Sequence, residues 1–295
     1  MKYSLKCLFL SLVFALCAFG VARFCHHQTK GFRLSKIANN MHAEPQHLSP
    51  EEIALVRSLF AYRFHYLGRG LQSFVFLSED GEHVLKVFIN TQKRKSALFQ
   101  ALSPLPFLSS WAKERALHAA EKSIKTFSSY QLAFTEMKHR SGLVFLHLGP
   151  STSRSLPPVT LVDPLHIVHR VDSNTLGFLI QKKAKLVYPA LAEWIEAEDL
   201  DKAKRALCSL LDLLFWKSAQ GIHDNDPLLR TNFGFLEEEA IQIDVGPLSK
   251  DFTPAEPEKM QRELQRITAS LKNWLTDHSP PLAHYLEEEW QKRLK

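Results

Sequence analysis

Short apolar runs separated by turn residues follow one another along the chain after residue 60. Such runs, bounded by glycine, proline and small polar residues, are typical of β-strands. They predict two strands joined by a glycine turn over Tyr66–Leu77, a hairpin turn at Ser78–Gly81 and a third strand at His83–Phe88. Further strands are predicted at 142–148, at 159–171 with a bend at Pro164, and at 175–181.

Helical spacing of apolar residues appears elsewhere in the chain. Ser49, Pro50 and Glu52 form the capping sequence of a helix start, and a long helix is predicted from Trp111 to Met137. The intervening residues 91–110 contain Pro104 and Pro106 and are predicted to be a loop. After a polar link at 182–189, apolar stripes predict a helix over 199–220 and a last long helix around 260–274.

This order of elements predicts an α+β protein of two unlike lobes with a cleft between them. Its 295 residues suffice for two such lobes. We expect an antiparallel, β-rich lobe over residues 49–188 and a mainly helical lobe over 189–295. Residues 23–48 are polar and lack periodicity, which predicts a linker.

The first 22 residues predict a signal peptide or a membrane anchor. Residues 7–22 carry no charge and follow the basic residues Lys2 and Lys6. Small residues at Gly20 and Ala22 would allow cleavage, whereas the length of the run also permits a marginal single span. A buried core helix is the third interpretation. The segment therefore indicates export or anchoring, with the side of the membrane left open.

Charge and cysteine content exclude several classes of protein. Residues 1–50 carry +5 of the formal charge of +6, so the remainder is close to neutral and a nucleic-acid partner is not expected. Cys7, Cys17 and Cys25 lie in or beside the N-terminal segment, so Cys208 is the only cysteine of the body, which rules out a disulfide within it. The cysteine and histidine spacings do not resemble a zinc site.

Two features of the predicted strands could bind an anion. Gly68 and Gly70 stand in the first turn, where glycine alone is also ordinary hairpin chemistry. Lys86 lies in the centre of an apolar strand, so its ammonium must face solvent, protect a sheet edge or meet an anion.

The segment between Gly221 and Gly246 carries the most specific set of polar residues. Asp224, Asp226 and Asn232 precede a predicted strand that ends at Asp244. Carboxylate and amide oxygens can hold Mg²⁺ against phosphates, and a further carboxylate can orient a nucleophile. The alternative is a polar loop whose side chains bond their own backbone.

In combination, these features resemble the protein kinase-like superfamily, in an atypical and divergent form. The resemblance covers about residues 60–250 and implies an ATP site with Mg²⁺. Ser73 stands where the glycine loop usually has a third glycine, and Lys86 would hold the α- and β-phosphates. A helix glutamate, Glu121 or Glu114, would pair with that lysine.

The resemblance also assigns roles in the Gly221–Gly246 segment. Asn232 and Asp244 would bind the metal, and Asp244-Val245-Gly246 would replace the usual Asp-Phe-Gly triplet. Asp226 would accept or orient the nucleophile's proton, with Asp224 as the substitute, although Asp226 precedes Asn232 by six residues rather than five.

Three functions follow as hypotheses. The first is an ATP- and Mg²⁺-dependent phosphotransferase whose acceptor is unknown. The second is a pseudokinase that binds or scaffolds with little or no turnover. The third is an anchored or secreted structural protein. A nucleotide is the expected partner of the first two, and the membrane is a partner through residues 7–22 if the segment is not cleaved.

Overall fold

The computed structural model describes residues 2–37, 46–105, 107–151, 155–246, 248–251 and 257–294. The chain contains both helices and strands, and the predicted mixture of the two is confirmed. The helices are α1 (Lys2–Gln28), α2 (Pro50–Leu59), α3 (Thr91–Leu102), α4 (Ser109–Glu136), α5 (Lys138–Ser141), α6 (Val187–Glu196), α7 (Leu200–Ala219), α8 (Leu229–Asn232), α9 (Pro257–His278) and α10 (Pro280–Leu294). The strands are β1 (Arg63–Arg69), β2 (Ser73–Ser78), β3 (His83–Phe88), β4 (Leu143–His147), β5 (Val159–Val162), β6 (Val168–Val171), β7 (Phe178–Lys182), β8 (Lys185–Leu186), β9 (Ile222–Asp224), β10 (Phe233–Leu236), β11 (Glu239–Gln242) and β12 (Leu248–Lys250).

The largest sheet has seven strands in the order β4-β7-β3-β2-β1-β5-β6. Its β1 and β5 pair in parallel, so the expected purely antiparallel sheet is wrong at this one pair. The single bent strand predicted over 159–171 is also wrong, because β5 and β6 form an antiparallel hairpin. Asp163 makes that turn, since its carboxylate accepts hydrogen bonds from the amides of Leu165 and Ile167.

Residues 91–102 form the helix α3, although a loop was predicted there. Both prolines of the segment lie beyond the helix, and the residues before them contain no breaker. Pro104 therefore follows the end of a helix. The prediction of a loop was wrong because it extended the effect of the prolines to the residues before them. The long helix predicted at 111–137 is confirmed as α4.

The apolar N-terminal segment is the helix α1, which runs past residue 22 to Gln28. Its window Phe9–Gln28 has a mean hydropathy of 1.8 and is not buried, so by length and composition this helix could cross a membrane or serve as a signal sequence. The predicted linker begins inside this helix and then packs onto the sheet, because Phe32 and Ile37 are buried in the sheet core. Its residues 38–45 lie outside the described residues.

A second core lies among the helices of the later half. The predicted stripe of α7 is buried there, against α6, α9 and α10. A small sheet in the order β11-β10-β8 packs against the same helices, and β9 pairs with β12. A third cluster joins α4 and the large sheet to Ile222 and Val245, which brings the Gly221–Gly246 segment beside β3.

Candidate functional site

The glycine turn joins β1 to β2 and is closed by a hydrogen bond from the amide of Gly70 to the carbonyl of Ser73 (2.9 Å). Neither glycine has a positive φ. A Cβ at Gly68 would meet no described atom within 4 Å, and one at Gly70 would touch only Ser73, at 3.8 Å or more. No described protein atom therefore crowds a side chain at these two positions.

Lys86 lies in β3 between Val75 of β2 and Leu179 of β7. The side chain is half-buried, and its ammonium donates a hydrogen bond of 2.5 Å to the carbonyl of Ile243. Burial lowers the pKa of Lys86 below its ordinary value, and the nearby Asp244 carboxylate opposes that change. The strand lysine thus meets the residue directly before Asp244.

Asn232 and Asp244 are held together through their main chains. The carbonyl of Asn232 accepts hydrogen bonds from the amides of Ile243 (2.8 Å) and Asp244 (3.3 Å). The side chain of Asn232 is buried, whereas that of Asp244 is exposed. Together with the Lys86 contact, these bonds join β3 to the main chain at Asn232 and Asp244.

Asp226 lies on the same loop and is exposed. The amide nitrogen of the Asn232 side chain donates a hydrogen bond of 2.6 Å to the carbonyl of Asp226. This bond fixes the backbone of Asp226 relative to Asn232. The six-residue spacing between them is therefore compatible with a loop that holds both residues in one place.

Asp224 is in a different environment, because its side chain is only 1% exposed. Its carboxylate accepts hydrogen bonds from the Lys217 ammonium (3.4 Å), the Gln242 amide group (2.5 Å) and the main-chain amide of Asp226 (2.8 Å). Lys217 also donates to Gln242 (3.0 Å). These bonds occupy the carboxylate, so Asp224 is suited to support the loop rather than to take a proton from a substrate.

Tyr130 of α4 closes one side of the site. Its hydroxyl donates a hydrogen bond of 3.0 Å to the side-chain oxygen of Gln72 in the glycine turn. A Cβ at Gly246 would lie 2.7 Å from that Gln72 oxygen and 3.2 Å from the Tyr130 hydroxyl. Burial, assisted by the Asp244 carboxylate, raises the pKa of Tyr130. Helix, glycine turn and the Asp244–Gly246 triplet thus meet around one tyrosine.

Neither of the two glutamates expected to pair with Lys86 forms a hydrogen bond or an ion pair with it among the described residues, and the charge that acts on its pKa is that of Asp244. Glu114 and Glu121 are exposed and line an open surface cavity of about 550 Å³ with Trp111 and His118. The face of α4 directed to the site instead presents Tyr130 and Ser129, whose hydroxyl donates to the carbonyl of Val245 (2.5 Å). The helix spans the predicted residues, and its buried residues carry no charge.

The side chains of Asp244 and Asn232 offer a hard cation two oxygen ligands, but no larger cluster of ligands surrounds them among the described residues. Among the described residues, no group of three or more His, Cys, Asp or Glu side chains could hold a metal ion. Mg²⁺ in phosphate sites commonly takes one or two protein carboxylates or amides, with water and phosphate oxygens completing the shell. The Asp244 carboxylate is exposed and accepts one hydrogen bond, from the Gly246 amide, while the Asn232 side-chain oxygen accepts one from Thr231. Both oxygens retain free lone pairs, which fits such an ion.

Four residues of the site were missed from the sequence: Lys217, Gln242, Tyr130 and Gln72. A signal existed for Lys217, because it continues the apolar stripe of α7 three residues after Leu214. Gln242 is likewise a polar residue between Ile241 and Ile243. Nothing in the local pattern around Tyr130 and Gln72 indicates that they meet.

Comparison with known proteins leaves the family open. No protein-family model matches the chain, and no curated protein matches its sequence. Similar solved structures include a crystal structure of WbdD (15% identity, TM-score 0.35), a structure described as the bifunctional kinase-methyltransferase WbdD (16%, 0.32) and the complex of Rv3197 from Mycobacterium tuberculosis with erythromycin (14%, 0.33).

These matches cover 78%, 75% and 75% of this chain, but only 45%, 42% and 60% of the three matched chains. The protein therefore spans about half the length of the structures that it resembles. Likenesses at such low TM-scores carry no argument about function, so we base the functional proposal on the site itself.

Proposed function

We propose that this protein is a divergent, kinase-like phosphotransferase that binds ATP with Mg²⁺ between a β-rich lobe and a helical lobe. One observation carries the proposal. The Lys86 ammonium bonds to the carbonyl of Ile243, and the next residue, Asp244, is bonded through its amide to Asn232. These contacts support the proposal because the Lys86 ammonium reaches the main chain beside Asp244, and the main chain of Asp244 is bonded to that of Asn232, twelve residues earlier in the same segment.

Each group has a role that its chemistry allows. The Lys86 ammonium would neutralise phosphate charge, and the backbone of the Gly68–Ser73 turn would cover the phosphates. Asp244 and Asn232 would hold Mg²⁺, which offsets the negative charge of the phosphates when it is bound. The protein chain would further contribute by holding the phosphates and the acceptor in a reactive geometry.

Asp226 is the residue that would orient the acceptor hydroxyl and accept its proton. It is exposed, whereas Asp224 is enclosed by Lys217 and Gln242. The bond from Asn232 to the Asp226 carbonyl would couple the position of this carboxylate to the metal site. The difference in exposure favours Asp226 over Asp224, which we assign a supporting role.

A second candidate function is nucleotide binding without turnover, as in a pseudokinase. The observation that favours it is the environment of Lys86, which bonds to a main-chain carbonyl and has no helix carboxylate as a partner within the described residues. The side chain of Gln72 also reaches from the glycine turn to Tyr130, across the space beside Asp244.

Transfer of labelled phosphate separates the two candidates. The full chain in detergent micelles is incubated with γ-labelled ATP, Mg²⁺ and fractionated acceptors that include lipids, sugars and proteins. We expect transfer to an acceptor that Asp226→Asn abolishes while Mg²⁺-dependent ATP binding persists. Asp277→Ala, which changes an exposed carboxylate on α9, is the matched control and should leave transfer unchanged.

Binding without transfer to any fraction would favour the second candidate. Absence of nucleotide binding would contradict both. Transfer that survives Asp226→Asn but not Asp224→Asn would show that our assignment of the two carboxylates is reversed.

A further inference from the structure

Four basic side chains converge where the chain leaves the apolar helix α1. Arg33 and Lys36 follow the helix directly, Arg69 comes from the end of β1 beside the glycine turn, and Arg94 comes from the first turn of α3. The three arginines are exposed and Lys36 is half-buried. We refer to these four residues as the basic cluster.

Specific contacts hold the basic cluster together. The Lys36 ammonium donates a hydrogen bond of 2.7 Å to the carbonyl of Gly31, and an Arg69 guanidinium nitrogen lies 2.8 Å from where a Cβ on Gly31 would be. Asn90, one turn before Arg94, bonds to the carbonyls of Lys36 (2.8 Å) and Ser35 (3.1 Å). The segment that leaves α1 is therefore fixed against both the glycine turn and α3.

The cluster lacks compensating negative charge. None of its four side chains forms an ion pair with any described carboxylate, although the chain makes such pairs at many other places. Burial and the neighbouring guanidinium groups of Arg69, Arg33 and Arg94 lower the pKa of Lys36. Like charges held at this density repel one another, and an external anion would relieve the repulsion.

We propose that the basic cluster is a docking surface for an anionic lipid bilayer. Its position gives the reason for this occupant. The unburied apolar window of α1 is 20 residues long. A helix of that length spans about 30 Å, which matches the thickness of a bilayer's hydrocarbon core. Arg33 follows the end of that helix by five residues, a reach of at most about 18 Å, so the cluster lies within range of the headgroups.

Basic residues beside the end of a membrane helix attract anionic headgroups, and each contributes favourable binding energy near the surface. Here two of the four cations come from the folded body, so binding would fix the body against the bilayer rather than merely tether it. Leu34, exposed between Arg33 and Ser35, adds an apolar group to the same surface. Arg69 lies within the Gly68–Ser73 turn, but only the backbone of that turn is assigned to the phosphates, whereas the lipid surface uses the Arg69 side chain. The two proposals can therefore hold or fail separately, and the ATP titration below tells them apart.

The test uses the full chain in micelles of a neutral detergent. Phosphatidylglycerol or phosphatidylcholine is titrated in, and the thermal unfolding temperature is recorded. We expect phosphatidylglycerol to raise this temperature and phosphatidylcholine to leave it nearly unchanged. The triple variant Arg33→Gln/Arg69→Gln/Arg94→Gln should need about a hundredfold more phosphatidylglycerol for the same shift.

The matched control removes the same charge elsewhere, with Arg57→Gln/Arg170→Gln/Arg266→Gln, and should respond like the wild type. All three control arginines are exposed. If the cluster variant unfolds without lipid, the salt dependence of the wild type decides, since docking by charge must weaken as salt is added.

Three results would overturn the proposal. The first is an equal loss of response in the control variant. The second is a lipid shift that salt does not change. The third is an equal shift from inorganic phosphate at the same concentration, which would assign the cluster to a soluble anion. ATP titrations of the same samples reveal whether the nucleotide site fails independently.

Discussion

Lys217 and Lys86 are both lysines in apolar surroundings, yet their partners differ. The Lys217 ammonium is buried and donates to the Asp224 carboxylate and to Gln242, with the ring of Phe233 at 5.2 Å. Lys86 is half-buried and donates to one main-chain carbonyl. The carboxylate that acts on its pKa, that of Asp244, is exposed.

The difference separates a structural pair from a candidate binding group. A buried ion pair whose charges already face each other and share further hydrogen bonds serves to hold together the elements that contribute it. Lys217 joins α7 to β9 and β11 in this way. Lys86 and Asp244 keep unused donors and acceptors at an accessible place, which is what a nucleotide and a metal ion require.

The largest expected effect comes from breaking the buried pair. Asp224→Ala leaves the Lys217 ammonium buried without its carboxylate, and it should lower the free energy of unfolding by about 3–5 kcal/mol. Urea denaturation measures the change. The double variant Lys217→Met/Asp224→Asn should recover a large part of it, because no uncompensated charge remains. If Asp224→Ala lowers the free energy of unfolding by less than an ordinary surface substitution does, the pair is not buried as described.

Removal of the other lysine should cost far less stability. Lys86→Met loses one hydrogen bond but also the cost of burying an ammonium, so we expect the free energy of unfolding to change by no more than about 1 kcal/mol. Urea denaturation again provides the measurement, with Lys125→Met on the exposed face of α4 as the control. If Lys86→Met loses as much unfolding free energy as Asp224→Ala, Lys86 is a structural residue and does not differ from Lys217 in the way described.

Tyr130→Phe tests the contact between α4 and the glycine turn. The variant deletes the hydroxyl that bonds to Gln72 and should cost about 0.5–1.5 kcal/mol of unfolding free energy. If Gln72 is thereby released from the site, ATP affinity should rise or stay constant. Titration calorimetry measures this, and a large fall in affinity would instead make the tyrosine part of the binding site.

The smallest effect is a dependence on pH. Burial lowers the pKa of Lys217 below its ordinary value of 10.5, although Asp224 opposes this. Between the lowered pKa and 10.5 the unfolded chain binds more protons than the folded chain, so stability rises with pH. Relative to the Lys217→Met/Asp224→Asn variant, the wild type should gain unfolding free energy as the pH approaches 10.5. Parallel pH profiles of the two proteins would contradict this assignment.

Much of the fold could be predicted because the apolar periodicity of α4 and α7 and the cap at Ser49 are local signals. One error concerns a long-range contact and another a local signal. Pairing of β1 with β5 is parallel because the connection between them returns across the sheet, and the apolar pattern of either strand is the same in both directions. Pro104 indicated a loop but in fact follows a helix.

Within the candidate site, ordered residue types located Lys86, Asn232 and Asp244, and the structure brings their segments together. The choice between Asp224 and Asp226 needed burial, which depends on Lys217 and Gln242 from two other elements. The pairing of Lys86 with Glu114 or Glu121 could not be checked from spacing alone, because these glutamates and Tyr130 lie on different faces of one helix.

Titration of the full chain with ATP, with and without Mg²⁺, tests the central claim most directly. We predict binding that Mg²⁺ strengthens, loss of most of the affinity in Lys86→Met, loss of the Mg²⁺ dependence in Asp244→Ala, and wild-type behaviour in Lys125→Met and Asp277→Ala. Equal ATP affinity in all of these proteins, or no binding by the wild type, would contradict the account.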